Sequence, residues 1–571
     1  ASIYLRGADP NHTLVLVDGV AVNDPTNSRG GSFNPNALSA DAIERIEVLR
    51  TPVSALYGSG ALAGVVNIVT RSAGDGGRGE LRADGRGGAA WRVAQGGTLG
   101  GGSKAEGDPA DSPGMTWRLS AGGSDDPRAG EGSRFRGNDL TLGINAAPAP
   151  KTRIALLAGR VTSRGEAYPD DSGGPDYAVR RATTLLETTQ DRAGVDLRRS
   201  LGESLAATLS YSQLVIQSRE EAPGVAPGLR DPAGLPASLT DADFRRSVIG
   251  VRLHWSGAPD GAGFRSAAIG VEKTTEAGTS RASLDFGHHF VLPAAFGLSR
   301  KTTALVADLG ARIAAPGGGL DAHAALRLDH PDGGATRTSP GLDLVWRIGG
   351  GWRARAAATQ GFQLPSFFAL GHPLIGNPGL RPERSRSAEV GADWTRADGS
   401  LRVAATAFRR RVEGSIDFEA GPPPRLVNRD ALRTQGVELE ASMALGAAGR
   451  ISGNAIALLP KVDGATAADA WPRNRPRRLA SMSWTGTLAP GWTFGVHERH
   501  VGSRRDSSIP TGDVVLAAYD RVDVDLHTRI AALGGLEVGA GVRNLFGAKY
   551  QEMVGFPALR AQGWVAVSRA W

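Results

Sequence analysis

At 571 residues without a cysteine, the chain is long enough for about two to four soluble domains or one large barrel, and disulfide scaffolds, Cys-ligated zinc and thiol catalysis are excluded. Its 65 Lys+Arg and 58 Asp+Glu give a formal charge of +7, but the two signs are interspersed along the whole length, so no nucleic-acid partner is expected. No apolar run reaches the ~18 residues of a membrane-spanning helix, and because the sequence opens at Ala1 inside an already patterned stretch, no signal peptide is expected within it and something upstream is expected to have been processed or left out.

The first patterned stretch, Thr13 to Pro25 (TLVLVDGVAVNDP), joins an apolar run to an acidic residue and a glycine, as at the head of a nucleotide-binding domain. Leu14 to Val17 reads as a buried strand, Asp41 to Leu49 (DAIERIEVL) as a short helix running into a strand, and Val65 to Val69 (VVNIV) as a strand preceded by the turn Gly58-Ser59-Gly60 and Gly64. The helix-strand alternation of a nucleotide-binding domain does not continue. Residues 1–76 form a small α+β unit, too thin for an independent core, that leans on something else.

From Gly79 the period changes to two. Val522, Val524, Leu526 and Ile530 alternate with Arg521, Asp523, Asp525, His527 and Arg529. Ile249, Val251, Leu253 and Trp255 alternate with Arg252 and His254, and Trp352, Ala354 and Ala356 with Arg353 and Arg355. Leu205, Ala207, Leu209 and Tyr211 repeat the pattern. Strands of one apolar and one charged face, with connections of very unequal length such as Ser218 to Asp243 and Phe362 to Arg384, are the signature of an outer-membrane barrel. Residues 77–571 suffice for about 22 antiparallel strands, the size at which such barrels hold a plugged lumen. The expected fold is mainly β: a transmembrane barrel with residues 1–76 inside it.

Enzyme motifs are weak. The glycines Gly58, Gly60 and Gly64 have the wrong spacing for a dinucleotide fingerprint, and His288-His289 lacks a third ligand. With no nucleophile elbow or zinc-protease motif, no enzyme is expected and no cofactor is required. The loop Tyr168 to Tyr177 (YPDDSGGPDY) gathers Asp170, Asp171 and Asp176 with Ser172, oxygen donors that suit Ca²⁺; a solvated acidic loop is the plainer reading of the same residues.

The stretches SIYLRGADPNHTLVLVDGVAVND, IERIEVLRTPVSALYGSGALAGVVNIVTR, FQLPSFFALGHPLIGNPGLRPERSRSAEVG, NRDALRTQGVELEA and VRNLFGAKYQEMVGFPALRAQG, with the terminal Trp571, resemble in order the motif series of TonB-dependent outer-membrane transporters. The run Asn11 to Gly19 is most similar to the vitamin B12 receptor branch, which also uses loop calcium. The resemblance implies a monomeric plugged barrel in the bacterial outer membrane that takes up a scarce ligand, a corrinoid first and a ferric siderophore or haem second, with energy from TonB. It also implies a longer plug, with a TonB box ahead of Ala1, and Arg50-Thr51-Pro52 stands where the family has Arg-Gly-Pro. A passive gated pore or surface-binding protein is the rival class.

By the same resemblance, Arg6 and Arg50 of the plug face Glu383 and Glu438 of the barrel as a charge latch. Ligand contacts are expected from Asn23, Asn27 and Asn34 at the plug apex and from Tyr168 and Phe367 in the loops.

Overall fold

The computed structural model describes residues 2–35, 38, 42–51, 53–71, 76–99, 114–127, 133–257, 262–419, 421–429, 431–464 and 471–571. The first segments make a four-stranded sheet: β1 (Thr13–Val17), β2 (Val20–Ala21), β3 (Ile43–Leu49) and, after helix α1 (Ser54–Tyr57), β4 (Gly64–Thr70). Their spatial order is β2-β1-β4-β3, with β1 parallel to β4. The run TLVLV is buried at all five positions because both faces of the sheet are covered. Val15 and Val17 pack with Val66, Ile68 and Phe33 on one side, and Leu14 and Leu16 with Ala61 and Val65 on the other. A strand covered on both faces has no polar row to show, which explains its resemblance to a parallel-sheet strand.

The acidic residue and glycine after that run are hairpin chemistry. Asp18 (φ 51) and Gly19 (φ 83) are the left-handed pair of a two-residue turn into β2. The Asp18 carboxylate accepts from Thr70 N at 2.8 Å and Thr70 Oγ1 at 2.9 Å, pinning β1 to the end of β4.

One local expectation is corrected. Ile43–Leu49 is strand throughout, with no helix among its residues, because pairing of β-branched Ile46 and Val48 with Ile68 and Val66 of β4 overrides the helix-like charge spacing. Thr51 is absent from the positive-φ residues, so the missing glycine of the Arg-Gly-Pro pattern costs no backbone strain.

The barrel begins at Gly76–Asp84 and closes where that strand pairs antiparallel with Gln562–Ala570, giving a 22-strand wall without an open edge. Closure satisfies every ladder in the bilayer, where water cannot. The alternation has the expected sense. Ile249, Val251 and Leu253 stay 49, 52 and 42% exposed, which a water-soluble fold would not tolerate in a row but a lipid-facing belt requires.

Strand lengths are uneven. Gly263–Asp285 and Val291–Ile313 each have 23 residues, against the ~9–11 that cross a bilayer, so this hairpin stands well above the membrane. At the opposite, short-turn end, Trp255, Trp346, Trp352, Trp394, Trp484 and Trp492 form an outward rim with Trp571. Several indoles donate to turn carbonyls there: Trp346 to Pro316 at 3.1 Å, Trp394 to Gly350 at 3.1 Å and Trp484 to Ala448 at 2.9 Å. Aromatic rims mark the membrane interface, and the short turns assign this end to the periplasm.

The plug sits inside the wall. Its Val15, Val17 and Phe33 cluster continues into lumen-facing Val161, Leu214, Ile216 and Phe244 of the barrel, so plug and barrel share one core. That is how so small an α+β unit is stabilised.

Candidate functional site

The seam between plug and barrel is charged on one side. Arg6, at φ 51 just before β1, sends Nε and Nη2 to the two oxygens of Glu438 at 3.1 and 2.6 Å, and Nη1 to Glu389 at 2.6 Å. Its guanidinium lies 4.3 Å over the Phe408 ring, and the whole residue is 9% exposed. Arg50 reaches Glu438 at 3.4 Å and also pairs with Glu440. Two plug arginines therefore meet three barrel carboxylates from two strands, with the bidentate fork that a planar guanidinium supplies.

The latch expected from the sequence is rearranged in one member. The structure brings Arg6, Arg50 and Glu438 together but gives Glu383 a different partner: its Oε2 lies 3.1 Å from His12 Nε2, and its Oε1 accepts from Ile416 N at 2.7 Å. Both side chains of the His12–Glu383 pair are 1% exposed. The carboxylates that sequence reasoning missed, Glu389 and Glu440, stand an even number of residues from Glu383 and Glu438 on the same strands. Period two places them on the lumen face.

Further plug contacts lie on the same side. Arg410 donates to the carbonyls of Leu5 and Arg6 at 3.3 and 3.0 Å. Arg475 donates to Gly7 O at 2.7 Å and pairs with Asp9. Burial pushes the Asp9 carboxyl up, but Arg475, helped by His12 and Arg410, more than offsets this and holds it below the usual carboxylate range.

The expected ligand contacts are committed to scaffolding. Asn23 accepts from Val15 N at 2.8 Å and donates to Thr13 O and Gly31 O at 3.1 Å each. Asn27 accepts from Arg29 N and Gly31 N at 3.1 Å and donates to Ser32 O at 2.9 Å. Asn34 is half-buried with a partner of its own. Tyr168 is 4% exposed beneath the Arg181 guanidinium, and Phe367 is 1% exposed, packed edge-on to Phe244. Asparagine-rich turns at a plug apex are built by the same side chains that a ligand would use, so sequence does not separate the two roles.

The calcium loop does not fit its metal. Asp170 pairs with Arg29, Asp171 with Arg230 at 2.8 Å, and Asp176 accepts from Gln551 at 2.9 Å, so the three carboxylates diverge to separate partners. Among the described residues no group of three His, Cys, Asp or Glu side chains converges as a metal site. The loop is instead part of a cover. Ile509 N donates to Asp171 O at 2.8 Å, and Asp506, 1% exposed, takes Arg473 at 3.2 Å and Val554 N at 2.8 Å.

The barrel model described as TonB dependent receptor-like, beta-barrel, matches residues 116–545. The chain belongs to the TonB-dependent receptor family. The TonB-dependent receptor plug-domain model matches residues 1–65. The receptor is 26% identical to the vitamin B12 transporter BtuB of Vibrio vulnificus strain YJ016 over 582 residues, covering 96% of this chain and 82% of that one. It is 46% identical to the ferric enterobactin receptor of Pseudomonas aeruginosa over 79 residues, 13% of this chain and 11% of that protein. The crystal structure of the ferripyoverdine receptor of the P. aeruginosa outer membrane superimposes with a TM-score of 0.77 at 16% identity, covering all of this receptor and 81% of that chain. Receptors of this family are outer-membrane proteins, and the present one is a plugged barrel of that kind.

Proposed function

We propose that this receptor carries a corrinoid across the outer membrane, with TonB supplying the work and no chemistry done on the cargo. The observation that carries the ligand class is the charge state of the mouth. Arg29, Arg230, Arg473 and Arg475, four cations of the plug apex and cover loops, are each paired with a carboxylate, Asp170, Asp171, Asp506 and Asp9, and Arg180 and Arg504 are tied to the backbone carbonyls of Pro223 and Gln551. On the tall hairpin, the lumen row set by the Glu276–Arg300 pair continues toward the loops as Ser280, Ala282 and Leu284 beside Leu292, Ala294 and Phe296. A wall of hydroxyl and hydrocarbon with these four cations neutralised suits a large uncharged ligand bearing amides. A ferric siderophore, which is anionic, asks for cations left over. The near-full-length similarity to vitamin B12 transporters supports the same choice.

The short ferric enterobactin receptor match favours the second reading, a catecholate siderophore. Equilibrium binding of cyanocobalamin, ferric enterobactin, ferripyoverdine and haem to the purified receptor decides between them. Cyanocobalamin alone binding at micromolar concentration or below is the expected result. Ferric enterobactin binding in its place transfers the reading to siderophores, and binding without TonB-dependent uptake by cells leaves a surface-binding protein.

A further inference from the structure

The plug meets the wall Leu320–Pro331, Arg337–Gly349 and Trp352–Gln363 in a different way from the charged seam. Helix α1 lies on this wall through small residues and one guanidinium: a Cβ on Gly341 would stand 3.7 Å from Ala55 Cβ, one on Gly361 would meet the Ser54 hydroxyl, and Arg327, whose ion pairs with Glu272 and Asp329 stay within the barrel wall, lies against Gly58. Among the described residues no side-chain hydrogen bond joins the plug to these three strands; the nearest is Leu364 N to Ser59 Oγ, 3.1 Å, in the loop that follows them. Polar atoms are nonetheless buried there without partners: Ser339 Oγ, Thr359 Oγ1, Gln363 Oε1 and Arg327 Nη1. Each would cost about 1–3 kcal/mol if it stayed unsatisfied in a permanently dry seam. Toward the periplasm the same lumen face continues from Gly341 into a cavity of about 400 Å³, lined by His323, Asp343, Val345 and Arg312.

We infer that this wall is the translocation track: α1 leaves it first, and cargo passes between plug and wall from the hydroxyl-lined seam into the periplasmic cavity. The inference rests on the transport reading but not on the ligand. A seam of small side chains and unpartnered hydroxyls gives up no ion pair when it parts, and its polar atoms gain water or the amides of a cargo. The opposite seam would expose Arg6, Glu389 and Glu438 from a bidentate network. A plug pulled from below therefore hinges on the charged side and opens on the hydroxyl side.

The chain has no cysteine, so introduced thiols report alone. Ser339→Cys on the track and Thr434→Cys on the charged side replace residues of equal burial, 0 and 1% exposed, and both rows touch the plug. In the purified full-length receptor under sub-denaturing urea, Ser339→Cys should react with a thiol reagent at least ~10-fold faster, a difference of about 1.4 kcal/mol in opening. Equal rates, or a faster Thr434→Cys, overturn the track. In cells, the pair Ala55→Cys and Gly341→Cys has a Cβ separation that suits a disulfide, and oxidising it should abolish cyanocobalamin uptake while leaving surface binding intact, with recovery on reduction. Full uptake through the closed staple also overturns it. A parent receptor that binds no cyanocobalamin counts against the corrinoid reading alone, and the urea experiment still decides the track.

Discussion

The two sides of the plug seam both have buried centres and are oppositely built. On the side of Glu383–Thr395, Leu401–Glu413 and Leu432–Ala444, guanidinium groups and carboxylates face one another, Arg6, Glu389 and Glu438 with little solvent and Arg50 and Glu440 at a half-exposed edge. On the side of Arg337–Gly349 and Trp352–Gln363, glycine, alanine, serine and threonine touch α1, and the nearby Arg327 is paired inside the wall with Glu272 and Asp329, so no ion pair joins plug to wall there. Burial alone therefore does not report how firmly a domain is held. Removing one member of a buried ion pair strands the other, whereas removing an unpartnered hydroxyl strands nothing.

The sharpest way to break this contrast is Arg6→Ala, which leaves Glu438 and Glu389 facing each other without their shared cation. Plug anchorage should fall by about 3–5 kcal/mol, read as the shift in urea midpoint for protease cleavage of the plug. The double variant Arg6→Ala with Glu438→Ala should lose less than the two single losses summed, and strict additivity would remove the network. Next in size, Glu383→Gln keeps a carbonyl for Ile416 N while weakening the bond to His12, and should cost about 1–3 kcal/mol in the same assay.

A third test is acid. Asp9 has a folded pKa lowered by Arg475, so its contribution is present above its ordinary value, near pH 4, and is lost as pH falls through the lowered one. Protease cleavage of the plug should accelerate across that interval, and Arg475→Ala should flatten the response. The smallest effect belongs to the other side: Thr359→Ala and Ser339→Ala should shift the midpoint by no more than about 0.5 kcal/mol, or raise it, because neither hydroxyl has a partner to lose. A loss comparable to that of Arg6→Ala would erase the distinction between the two sides.

The barrel was legible because its pattern is global: period two in strand after strand forces one face to lipid, whichever pair is read. Local signals carried less. The spacing in DAIERIEVL fits a helix until β4 supplies a pairing partner, and no window of that length contains β4. The latch was half legible for a similar reason. Arg6, Arg50 and Glu438 could be carried by resemblance, but the choice between Glu383 and Glu389 depends on how far the plug sits along the barrel axis, and strand register against a separate domain leaves no trace in the alternation. Aspartates in a Gly-rich loop looked like metal donors because the arginines that claim them lie far off in the chain, at Arg29 and Arg230.

The tryptophan rim makes the molecule its own depth gauge. Trp346, Trp352, Trp394 and Trp484 share one latitude, while Trp91, Trp471 and Trp564 lie away from it, so indole emission is weighted toward the inner leaflet. Quenching lipids confined to the inner leaflet would dim it more than those in the outer leaflet, and the tilt of the barrel while its plug is pulled would register as a change in that ratio without any added dye.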